Sequence, residues 1–300
     1  MVLSGSICAL ATPFRASDDQ LDLAAFERLV HYQVAGGTRA LVVAGSTGEA
    51  AALDEREFAA LLDCAVRAVD GRVPLLAGTG QSGTRNTIER TRRARDAGVV
   101  QALVVAPPYV RPTQEGLYRH FSEVADHGGL PVLLYNVPTR TACDLLPRTV
   151  ARLAGHGNIT GIKEAVADER RMTALLALAG DGFKVFSGDD PTAARALLAG
   201  AAGVVSVAAN VAPAAFAALC DACLAGDAAA AGERDRALQP LYALLGAEPN
   251  PIPVKWCLAR LGFGEATLRL PLVPLSASLH ARADAVLESL GLASAQAASA

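Results

Sequence analysis

The sequence predicts a single α/β domain, a (β/α)8 barrel with a C-terminal helical extension. The 300 residues are 52% hydrophobic with a mean hydropathy of +0.30, enough to bury one sizeable core. Short apolar runs alternate with amphipathic stretches, the pattern of parallel strands joined by helical crossovers. That alternation recurs eight times, the number of units at which such a sheet closes into a barrel.

In chain order the expected strands cover residues 6–13, 40–45, 73–78, 102–107, 131–137, 159–165, 183–188 and 203–208. Between them, helical periodicity marks residues 21–34, 55–69, 84–97, 115–126 and 169–178. After the eighth strand, residues 213–290 read as helix throughout, with a break at Glu248, Pro249, Asn250, Pro251, Ile252 and Pro253. The expected organisation is a barrel core over residues 1–212 and helices packed on it over 213–292. Residues 293–300, an Ala/Ser run, are expected to form a disordered tail.

Composition narrows the function. A net charge of −3 and a pI near 6.0 leave no basic footprint for nucleic acid or a membrane surface. No segment supplies the roughly 18 apolar residues of a spanning helix, and the N-terminus lacks a signal-peptide pattern, so a cytoplasmic protein with small soluble substrates is expected. The six cysteines (Cys8, Cys64, Cys143, Cys220, Cys223 and Cys257) are too sparse for a disulfide scaffold. Cys220 and Cys223 form a C-x-x-C with neither a second pair nor a nearby His, so chance explains it better than zinc.

In this fold class the active site lies at the C-terminal strand ends, and those positions are polar here. Of 27 basic residues only Lys163, Lys184 and Lys255 are Lys. Arg stays protonated, so chemistry that needs an amine nucleophile needs Lys. Lys163 ends the run Ile159, Thr160, Gly161, Ile162 and faces the lumen if Ile162 faces outward. Being neutral at pH 7 would cost a free amine roughly 4.6 kcal/mol, most of which an apolar surround can remove. A buried ion pair is the other reading of Lys163. Tyr135, on the neighbouring strand, can donate and accept a proton, or be a core Tyr with a satisfied hydroxyl. Gly45, Ser46, Thr47, Gly48 and Glu49 offer hydroxyls and backbone N–H groups suited to a carboxylate, although Gly- and Ser-rich turns are common.

Gly78, Thr79, Gly80, Gln81, Ser82 and Gly83 match G-x-G-x-x-G. The next strand carries no terminal acid for a ribose and the match sits in the third unit, so a lumen-lining turn is the better reading. The five His residues (His31, His120, His127, His156 and His280) fall on helices or outer loops, which disfavours a metal-dependent aldolase, and no metal is expected.

From about Leu3 to Leu290 the chain resembles the dihydrodipicolinate synthase and N-acetylneuraminate lyase superfamily. The likeness rests on Gly45 to Glu49, on Tyr135, Asn136, Val137, Pro138, Thr139, Arg140 and Thr141, on Gly161, Ile162, Lys163, Glu164 and Ala165, and on Ser187, Gly188, Asp189 and Asp190. Residues 250–255 look like the synthase branch. Ser46 stands where Thr is usual in synthases, and keeps the hydroxyl.

The resemblance implies a Schiff base between Lys163 and pyruvate, proton transfer by Tyr135, and a relay through the Ser46 and Tyr109 hydroxyls, with Tyr109 reaching into a neighbouring subunit. It implies pyruvate binding by Ser46, Thr47, Gly188 and the Val205 carbonyl, and binding of the carboxylate of aspartate semialdehyde by Arg140. The implied reaction, condensation of pyruvate with aspartate 4-semialdehyde, needs no cofactor. The implied assembly is a homo-oligomer, a tetramer built as a dimer of dimers. In lysine-sensitive relatives the effector sits at the dimer interface, among a His in the helix after the Ser46 turn, a Glu early in the third helix and a Tyr just before the interface tyrosine. Here those places hold Glu55 with Phe58 downstream, Asn86 and Pro108, so little inhibition by lysine is expected. The alternatives are a pyruvate-dependent aldolase acting on a sugar acid or other 2-oxo acid, and a pyruvate-binding sensor, which would be expected to lose Lys163 or Tyr135.

Overall fold

The computed structural model describes residues 3–292. Eight parallel strands form one closed barrel in sequence order: β1 Gly5–Ala9, β2 Ala40–Val43, β3 Leu75–Gly78, β4 Gln101–Val105, β5 Val132–Asn136, β6 Ile159–Glu164, β7 Lys184–Ser187 and β8 Gly203–Ser206. β8 pairs back onto β1, so no strand edge is exposed. Around it run α1 Leu23–Ala35, α2 Glu55–Val69, α3 Thr84–Asp96, α4 Gln114–His127, α5 Pro138–Thr141, α6 Pro147–Leu153, α7 Glu169–Leu176, α8 Ala193–Leu198, α9 Pro213–Leu224, α10 Ala228–Leu245, α11 Ile252–Arg260 and α12 His280–Ser289.

Side chains short enough to bond their own backbone start these helices. Asp22, Thr113, Asp168 and Asp227 each accept a backbone N–H from the first turn of α1, α4, α7 and α10. Asp54 and Glu57 form a reciprocal capping box at α2.

Strand alternation sorts two cores. Ile7, Ala9, Val42, Leu76, Leu103, Leu133, Phe186 and Val205 fill the lumen. Their neighbours Cys8, Leu41, Val104, Leu134, Ile162 and Val204 pack outward against the helices. Ile162 does face outward, which turns Lys163 inward. β6 carries Gly161 because a β-carbon there would lie 2.1 Å from the Lys184 carbonyl oxygen on β7.

Two expectations need correction. Several strands end before their apolar runs do: β1 stops at Ala9 although residues 10–13 read on as strand, because the Ala11 N–H turns aside to Asn210 Oδ1, 3.0 Å away. Nor is the stretch 213–290 helical throughout, since the chain leaves α11 at Arg260 and reaches a 3-10 turn only at Ala277. Gly262 and Gly264 take positive φ there, and Pro271 and Pro274 remove donors. α9 packs against β1, α8 and α1, and so completes the ring of helices, leaving α10, α11 and α12 beyond it. The expected tail lies outside the described residues. Among the described residues no helix is long and apolar enough to cross a membrane.

Candidate active site

Lys163 and Tyr135 are register partners on β6 and β5. Lys163 is buried at 5% exposure, and its Nζ lies 4.2 Å from the centre of the Tyr135 ring. Among the described residues it makes no ion pair. The buried ion pair that was the other reading of Lys163 belongs to Lys255. Gly188, just past β7, lines the other flank: a β-carbon there would meet Lys163 Cε at 2.7 Å.

The residue following each of this pair in sequence turns the opposite way and joins a polar network behind the barrel wall. Asn136 Nδ2 donates to both Glu164 oxygens at 3.1 Å and to Asp144 Oδ1 at 3.0 Å, while Asn136 Oδ1 accepts from the Leu145 N–H at 2.9 Å. Arg171 bridges Glu164 at 2.7 Å and Asp144 at 2.6 Å. Burial lifts the Glu164 carboxyl above its usual range, against the pull of Arg171. A satisfied buried network of this kind fixes the two strand ends relative to each other.

The turn after β2 holds Ser46 half-buried and Thr47 buried. Its last residue, Glu49, is left-handed at φ 51° and fully committed: Oε1 accepts from Lys255 Nζ at 2.5 Å and Oε2 from the Arg269 N–H at 3.1 Å. Burial lowers the Lys255 ammonium to about 8, opposed by Glu49. Lys255 Nζ and the Arg269 guanidinium each lie 4.2 Å from the centre of the Phe14 ring. Asn250 donates from Nδ2 to Thr47 Oγ1 at 3.0 Å, and its carbonyl accepts from Arg140 Nη2 at 2.8 Å. The C-terminal extension thus enters the site, a role that the reading of residues 250–255 as a matching segment did not supply.

Ser46, Tyr135 and Arg140 line one cavity of about 580 Å³ at the C-terminal strand ends, with Gly80, Gln81 and Ser82 of the glycine-rich turn on its wall. Val205 lies fully buried in the lumen, and Asp190 accepts the Val207 and Ala208 N–H groups that follow it, at 3.0 and 2.8 Å. Tyr109 is not brought to this cavity. It is 89% exposed, at φ 74°, with its N–H bonded to the Thr141 carbonyl at 3.2 Å. A larger hollow of about 770 Å³ opens at the opposite strand ends and is mostly apolar apart from Gln101, Thr160, Asp181 and Lys184; it holds none of the candidate residues. Among the described residues no group of His, Cys, Asp and Glu is placed to hold a metal ion, and Cys220 and Cys223 are buried free thiols.

Glu55 is engaged by Arg90 and Arg93, and the Arg90 guanidinium lies 4.0 Å over the Phe58 ring.

The model of the dihydrodipicolinate synthetase family matches residues 2–290. A 4-hydroxy-tetrahydrodipicolinate synthase of Stenotrophomonas maltophilia strain K279a is 58% identical over 284 residues, covering 95% of each chain. The chloride-inhibited dihydrodipicolinate synthase of Acinetobacter baumannii, solved with pyruvate, matches with a TM-score of 0.95 at 40% identity, over 97% of this chain and 100% of the other. A monomeric dihydrodipicolinate synthase variant matches with a TM-score of 0.94 at 40% identity, over 97% of both chains.

Proposed function

The chain belongs to the dihydrodipicolinate synthetase family, and from that premise we propose that it condenses pyruvate with aspartate 4-semialdehyde to 4-hydroxy-tetrahydrodipicolinate through a Schiff base on Lys163. The observation that carries this reading is a buried, ion-pair-free lysine at the C-terminal end of β6, set against the ring of a tyrosine on the adjacent strand.

In this reading the Lys163 amine adds to the ketone carbon of pyruvate, and loss of water leaves the imine. The imine nitrogen draws electrons from the methyl carbon, which gives up a proton to form the enamine; water offers no such electron sink. The enamine carbon attacks the aldehyde, and the substrate's own amine then closes the ring and displaces Lys163. Tyr135 carries the protons in these steps, in relay with Ser46 and with Tyr109 of a neighbouring subunit. Ser46 and Thr47 hold the carboxylate of pyruvate, Gly188 and the Val205 carbonyl border its ketone side, and Arg140 holds the carboxylate of the aldehyde.

Tyr109 and the half-exposed Val110 beside it support an assembly in which that edge is covered by a second copy. The assembly that goes with this reading is a homotetramer built as a dimer of dimers. An aldehyde panel offered with pyruvate tests the reaction. Turnover of aspartate semialdehyde is the expected result, and turnover of sugar-derived aldehydes with none of aspartate semialdehyde would contradict it.

A further inference from the structure

We propose that Glu164 is a positioning residue for the proton-transfer step: its carboxylate sets the nucleophile and the proton carrier against each other, and a neutral side chain in its place cannot. The inference rests on the Schiff-base reading of Lys163 and Tyr135. Those two are register partners, and so are the residues that follow them, Glu164 and Asn136. Because strand side chains alternate, whatever holds Asn136 to Glu164 behind the wall also fixes Tyr135 against Lys163 in front of it. Glu164 reaches a third strand end as well. Its carbonyl accepts the Gly188 N–H at 2.7 Å, and Gly188 packs on the Lys163 side chain. One residue therefore joins the ends of β5, β6 and β7 around the amine.

The surroundings of this side chain suit only a carboxylate. Every group that bonds it is a donor: Asn136 Nδ2 to both oxygens at 3.1 Å, the Val166 N–H to Oε1 at 2.9 Å and Arg171 Nε to Oε2 at 2.7 Å. Asn136 cannot turn its amide to compensate, because Oδ1 takes the Leu145 N–H and Nδ2 also serves Asp144. An amide at residue 164 would set an NH2 against these donors whichever way it pointed, and full burial leaves it no solvent to turn to.

The step most sensitive to a shift in this arrangement is the conversion of imine to enamine. There the methyl C–H bond breaks, its electron pair forms the C=C bond, the C=N pair settles on nitrogen, and the proton leaves through Tyr135. That transfer needs the lysine-bound carbon and the proton carrier aligned to a fraction of an ångström. The extent of imine formation at equilibrium needs only a folded site with its amine in place. A change at Glu164 therefore separates the two.

The test uses pyruvate alone. The extent of borohydride labelling of Lys163 after long incubation reports the imine, and exchange of the pyruvate methyl protons in deuterated buffer, followed by NMR, reports proton transfer. In Glu164→Gln the exchange rate per labelled chain is expected to fall about tenfold or more. Dividing by labelled chains removes any loss that comes from unfolding alone. Arg171→Lys, at the partly exposed end of the network, is expected to lower the same rate by about threefold or more, since an ammonium cannot replace a guanidinium forked between Glu164 and Asp144. It decides the matter if Glu164→Gln does not fold. An unchanged exchange rate per labelled chain in the folded variants would mark a merely structural role and overturn the inference alone. A wild-type enzyme in which pyruvate labels no lysine would overturn the Schiff-base reading, and this inference with it.

Discussion

Gly188 packs so closely on Lys163 that a β-carbon at residue 188 would lie 2.7 Å from Cε and 3.0 Å from Cγ. The side chain that would have to give is the nucleophile itself, since it is the flexible party to the contact. Gly188→Ala is therefore expected to lower kcat by about tenfold or more while the unfolding midpoint moves little, because misplacing a reacting group by a fraction of an ångström is costly in rate. Steady-state kinetics beside thermal unfolding check this, and wild-type kcat in a folded Gly188→Ala would contradict it. Lys163 itself was legible from the sequence: it is one of three lysines, it ends an apolar run, and its strand partner is a tyrosine. Asn250 was not. Its contacts with Thr47 and Arg140 span 203 and 110 residues of sequence, and no local pattern registers such a meeting.

The turn after β2 depends on an element far away in sequence. Lys255 and Glu49 are each only 2% exposed, so removing one partner strands a charge in the core. Lys255→Met is expected to destabilise the protein by about 3 to 5 kcal/mol, and Lys255→Met with Glu49→Gln to recover roughly half of that, because the uncompensated charge is gone. Denaturant unfolding of both variants decides it, and a double variant no more stable than the single would show that the pair is not the cause. Pattern reading found all eight strands because each alternates or runs apolar over its length. It misread residues 261–276 as helix, where glycines at positive φ and two prolines govern the backbone. It left the Lys255–Glu49 pair unseen, because a buried Lys–Glu pair looks in sequence like two surface charges.

On the scale of the whole molecule, Tyr109 stands outside its own chain's cavity, so a relay that uses it requires a second copy. Tyr109→Phe is expected to cut turnover by about tenfold or more with little loss of stability, and activity is expected to vanish on dilution to monomers. An active monomer at unchanged specific activity, measured alongside sedimentation, would contradict this. The positions where the resemblance implies a lysine effector bear on regulation. Asn86 supplies no carboxylate for the ammonium of free lysine, Glu55 is already paired with Arg90 and Arg93, and Pro108 offers no hydroxyl. Each lost charge-assisted bond weakens binding by about one to two orders of magnitude, so lysine titrated at saturating pyruvate is expected to leave the rate nearly unchanged. Half-inhibition at submillimolar lysine, on the order of the affinity that intact contacts would give, would contradict that reading. Intact-mass and peptide mass spectrometry after borohydride trapping with pyruvate show whether Lys163 is the amine that bonds pyruvate. One label per chain, on Lys163 and absent from Lys163→Ala, is the predicted result; a label on Lys184 or Lys255, or none at all, would contradict it.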